Sequence, residues 1–199
     1  MKRWLAACIL MAATVRPADA HSPFPGIGEF YNGMLHPLVV PAYALAIVGL
    51  GLLFGQKAPR SSRLGLPAFA LGLVVALAIP ASLVAPLPLT VLLGIVLAVG
   101  LVVALSLGLG AVGPGLFGVA GGVLIGLDAG RNAVTDSQTW IALAGLAVSA
   151  TIVVALVAGF AMWLAGRWQG IGVRVLGSWT AASAFLVIAL SLTATPGNG

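Results

Sequence analysis

Long apolar runs separated by short polar or Gly/Pro-rich breaks dominate the chain, and their lengths decide what each can be. The run Trp4–Val15 covers about 18 Å as a helix, too short for a hydrocarbon core of about 30 Å. Six later runs are longer, at 35–55, 64–84, 89–109, 112–129, 140–165 and 172–193. Each is bounded by a charged loop or by turn residues such as Pro86-Leu87-Pro88 and the Gly110–Gly115 break. The pattern predicts an all-α integral membrane protein, a bundle of about six transmembrane helices spanning 35–199. The boundary between the third and fourth runs is the least sharply marked.

The short first run reads differently. Lys2 and Arg3 precede it, and Ala18-Asp19-Ala20 follows it as a small-x-small cleavage site. This is the layout of a secretory signal peptide over residues 1–20, which leaves 21–34 as an exported N-terminal segment. An uncleaved anchor is the alternative. Leu5-Ala6-Ala7-Cys8 has the letters of a lipoprotein box, but only four residues precede the cysteine. Cys8 is the only cysteine, so after cleavage the protein has no thiol for a disulfide or metal site.

Composition agrees with the run pattern. Of 199 residues, 61% are hydrophobic and 7% charged, with a mean hydropathy of +1.17. A soluble domain carries about a quarter charged residues to keep its surface wet. The net charge of +5 forms no basic stripe, so nucleic acid is not an expected partner. Outside the leader the basic residues instead sort by loop. Lys57, Arg60, Arg63, Arg167 and Arg174 fall on one side of a six-span plan, and Arg131 falls alone on the other, with Asp128 and Asp136. The positive-inside rule then agrees with the leader: a multi-pass protein of a bacterial inner membrane with both termini periplasmic. Trp140 and Trp163 or Trp168 sit at span ends, as an aromatic belt requires.

Gly118, Gly122, Gly126 and Gly130 repeat every fourth residue, and Gly51 and Gly55 repeat that spacing once. Such a stripe is a groove for close packing of a neighbouring helix, in preference to a substrate-lining face.

Chemistry is confined to a few groups. Nothing supports catalysis: there are two histidines, no P-loop and no HExxH. Both histidines, His21 and His36, lie with Glu29 in the Pro/Gly-rich stretch before the first span. That stretch is expected to be non-helical, with Pro37 in the first turn of the first span and His36 at its N-terminus. After cleavage His21 offers an α-amine and an imidazole, which together chelate copper or nickel, and Glu29 can add a carboxylate. A flexible N-terminus that happens to begin with His is the alternative. Asp128 is the one acid near a span interior, where a charge costs about 2.5–3.5 kcal/mol, so it is a functional candidate by default. The competing reading is a surface pair with Arg131, three residues on.

With His36-Pro37 after an exported Gly/Pro-rich segment, a six-span plan and a small-residue fourth span, the chain resembles the HupE/UreJ family. These are hydrogenase- and urease-associated membrane proteins regarded as nickel or cobalt permeases. The family's first-helix signature continues from His-Pro to an Asp-His pair, and here Ala42 and Tyr43 stand in those places. The resemblance implies capture or transport of a divalent transition metal (nickel, cobalt or copper) from the exported side. His21, His36, Glu29 and Asp128 are the candidate ligands, and metalloenzyme maturation proteins or a second copy are the expected partners beyond the lipid bilayer. Two other readings stay open: a non-transporting membrane accessory or scaffold protein, and a small-solute transporter.

Overall fold

The computed structural model of the chain describes residues 27–58, 60–132, 139–167 and 170–193. The leader, its cleavage site, His21, Asp136 and Trp168 lie outside the described residues. Within them the fold is all-α, with seven helices: α1 (Glu29–Val39), α2 (Pro41–Gln56), α3 (Arg60–Leu77), α4 (Leu89–Ala104), α5 (Gly113–Asn132), α6 (Thr139–Arg167) and α7 (Ile171–Thr193). A single 3-10 turn, Ala81–Leu83, lies between α3 and α4. An apolar chain in lipid must satisfy its backbone internally, and helices do so residue by residue.

The first run does not form one helix. The chain is helical already from Glu29, it runs through Pro37, and it breaks at Val40, where α1 and α2 meet at 75°. Val40 takes an extended conformation (φ −83°, ψ 109°) because the ring of Pro41 disfavours a helical residue before it. Pro41 is therefore the N1 proline, and the expectation that Pro37 fills this role is corrected. The expectation of a non-helical approach is corrected with it. Packing explains both: α1 crosses α6 so closely that a side chain on Gly33 would strike the Ala142 backbone, and one on Gly145 would strike the Phe30 carbonyl.

Three helices, α5, α6 and α7, are long and apolar enough to cross a membrane, and the bent pair α1–α2 makes a fourth if taken as one span. The remaining two apolar helices are shorter. At 18 and 16 residues, α3 and α4 rise about 27 Å and 24 Å. Pro80 ends α3 early, and residues 78–88 take it to α4 with the short 3-10 turn as their only helix.

Close approaches give each helix its direction. The most extensive pairing is α3 on α5, built on the glycine stripe. Gly118 lies against Gly65 and Phe69, Gly122 against Phe69 and Leu73, and Gly126 against Leu73 and Ala76, so these helices run parallel. Gly51 and Gly55 likewise seat α2 parallel to α6, against Val157 and Ala158. Gly100 meets Ala181 while Gly177 meets Val103, so α4 and α7 are antiparallel. Taking α1–α2 as one rod, consecutive rods alternate in direction.

One end of the bundle carries the basic loops. The C-terminus of α4 is closed there from three sides. Gln56 Nε2 donates to the Val103 carbonyl (2.8 Å), Arg174 Nε to that of Ala104 (2.9 Å) and Lys57 Nζ to that of Ser106 (2.9 Å). Carbonyls left over at a helix C-terminus attract such donors, and the helix dipole favours their charge. Arg167 stacks over Trp163 at 4.8 Å at this same end. Trp140, two-thirds exposed, opens α6 at the other.

Candidate functional site

The break between α1 and α2 places His36 in the last turn of α1 and Tyr43 in the first turn of α2. Their rings meet edge to face, with centroids 5.6 Å apart. Tyr43 is 1% exposed, and a buried phenol requires a partner for its hydroxyl. It donates to Asp128 Oδ2 of α5 at 2.5 Å. His36 and Asp128, 92 residues apart in sequence, are thereby joined through one side chain.

Asp128 is held by Tyr43 and not by Arg131. The arginine is engaged elsewhere, donating from Nη1 to the Val84 carbonyl at 2.8 Å. The surface-pair reading of Asp128 with Arg131 is therefore set aside. Half-buried, Asp128 also lines a pocket of about 90 Å³ together with Leu87, Pro88, Leu89, Leu92 and Leu124. That volume holds a few water molecules and is well below the 300–1,000 Å³ typical of organic-ligand sites.

The break also exposes backbone chemistry. Pro41 has no N–H to offer the Pro37 carbonyl, so the helical i→i+4 ladder of α1 stops beside His36. Broken helices in membrane transporters use such ends to bind ions.

Of the four residues expected as ligands, the structure brings two together, His36 and Asp128. Glu29 stands two turns before His36 on α1, about 10.5 Å along the axis, too far to share an ion with it. His21 lies outside the described residues. Among the described residues no three His, Cys, Asp or Glu side chains cluster as metal ligands. Two residues escaped the sequence reading. Tyr43 entered it only as a lost histidine, and it meets His36 from a different helix, across the break at Val40. Asn32, four residues before His36, is buried and lies on the same face of α1.

A family model described as HupE / UreJ protein matches residues 9–187. No curated protein and no solved structure matches the chain.

Proposed function

Because the chain belongs to the HupE/UreJ family, a family associated with nickel and cobalt transport or accessory roles, we propose that this multi-pass membrane protein captures a divalent transition metal ion and carries it across the bilayer. Nickel, cobalt and copper are the candidate ions, and the ion enters from the exported side of a bacterial inner membrane. The observation that carries this reading is the link from His36 through Tyr43 to Asp128 at a break in an apolar helix. An imidazole is a ligand for late transition metals, and a carboxylate in lipid is retained only where its charge is needed.

The division of labour follows from placement. His36 offers nitrogen to the ion. Asp128 supplies the negative charge that offsets an ion stripped of most of its water. Tyr43 fixes the carboxylate without neutralising it. The α1–α2 break lets the two half-helices shift independently while α3 and α5 stay locked by their glycines. On this reading His21 and Glu29 act earlier, gathering ions ahead of the membrane.

The test is accumulation of radiolabelled nickel or cobalt in cells producing His36→Ala or Asp128→Asn. Both variants should lower accumulation at least ten-fold at equal membrane abundance. Accumulation equal to wild type in both would leave the accessory or scaffold role, for which a co-purifying partner is the positive sign.

A further inference from the structure

Among the described residues, buried polar side chains find hydrogen-bond partners, with one exception. Ser149 and Thr180 return their hydroxyls to the carbonyls of Leu146 and Leu176 in their own helices, and Ser61 donates to the Lys57 carbonyl. Asn32 is 7% exposed, and its Oδ1 has no hydrogen-bond partner among the described residues. A carboxamide oxygen only accepts, so it cannot be turned back onto a helix carbonyl as a hydroxyl can. A leucine would fill the same space without stranding a polar atom. Packing therefore gives no reason for the amide, and a stranded acceptor in an apolar setting destabilises the fold.

Its position supplies the reason. Asn32 and His36 are four residues apart within α1, neighbours on one face. Two side chains at this spacing on a helix can ligate a single metal ion. His36 in turn is tied to Asp128 through Tyr43. We infer that Asn32 is a metal-binding residue: its Oδ1 joins the His36 imidazole and the Asp128 carboxylate in a three-donor site for a divalent ion that prefers nitrogen and oxygen ligands. This inference rests on the transport reading above and gives it a donor set.

That set holds one nitrogen, two oxygens and no sulfur. It suits Ni²⁺ or Co²⁺ with water in the remaining positions, and it disfavours copper(I), which favours thiolate or thioether sulfur. The stranded oxygen of Asn32 is then a cost borne by the empty protein and relieved when the ion arrives.

The experiment is Co²⁺ titration of the full-length detergent-purified protein, followed by its visible d–d absorption, with thermal unfolding measured with and without Co²⁺. Wild type should bind saturably and unfold at a higher temperature with Co²⁺. Asn32→Leu should unfold above wild type without metal, yet bind Co²⁺ at least ten-fold more weakly and lose the Co²⁺-dependent rise. Asn32→Asp keeps an oxygen in place and should retain binding; loss of binding in Asn32→Asp as in Asn32→Leu would overturn the inference. So would unchanged Co²⁺ affinity in Asn32→Leu while His36→Ala is impaired, which would reduce Asn32 to the holder of a buried water. Unchanged Co²⁺ affinity in His36→Ala would instead defeat the transport reading itself.

Discussion

Tyr43 occupies the position where the family signature has the histidine of its Asp-His pair, and its hydroxyl does work that a phenylalanine could not. The bond from a buried phenol to a carboxylate is charge-assisted, a class worth about 1.5–3 kcal/mol. Tyr43→Phe should therefore lower stability by about 2 kcal/mol and free the Asp128 side chain to rotate. Chemical denaturation in detergent measures the first effect. The second should appear as a several-fold fall in nickel accumulation with unchanged membrane abundance. At this scale the sequence announced His36 and Asp128 as isolated candidates, one by its imidazole and the other by its charge in an apolar run. It could not join them, because the bond that does so spans 85 residues and depends on how α2 and α5 pack. Asn32 was less visible still. One amide in the run from Glu29 to Val39 looks like a tolerated polar residue until its burial is known.

Among elements, the glycine stripe of α5 was the most legible feature, since a four-residue repeat of small side chains has few other uses. The packing of α3 sharpens it into a prediction. Gly122→Val would drive a side chain into the Phe69 carbonyl and the Leu73 amide, backbone atoms with no room to yield. It should cost at least the 1–3 kcal/mol of an overpacked core, read as a lower unfolding temperature. Gly159 of α6 has no neighbour within 4 Å, so Gly159→Ala should be neutral or stabilise by about 0.5–1 kcal/mol. The reverse ranking would refute the packing account. The first helix was less legible. Pro37 and Pro41 are two equally good candidates for a helix start, and the close approach of Gly33 to α6 decides between them. Hydropathy also overran the ends of α3 and α4, because the residues beyond Leu77 and Ala104 are apolar without being helical.

For the whole molecule, the alternating directions of the rods put the basic loops and the His36–Asp128 site at opposite ends, and this is where the proposed orientation can be tried. Ala85 and Ala111 are exposed and lie toward opposite ends. Cysteines placed there one at a time, in a chain whose only native cysteine is Cys8, should react with a membrane-impermeant maleimide from outside at Ala85→Cys and not at Ala111→Cys. The opposite pattern would invert the protein and point the site toward the cytoplasm. Membrane character and helical class were legible from composition and run length alone. Pairing between rods was not, since it is set by backbone approaches between segments far apart in the chain. The central claim is that His36 and Asp128 act on the same ion, and a double-mutant cycle tests it most directly. Nickel affinity would be measured by calorimetry for wild type, His36→Ala, Asp128→Asn and the double variant. If both groups hold one ion, each single variant weakens binding at least ten-fold and the double variant is little worse than the weaker single. Losses that simply multiply, or single variants that bind as wild type does, would contradict the account.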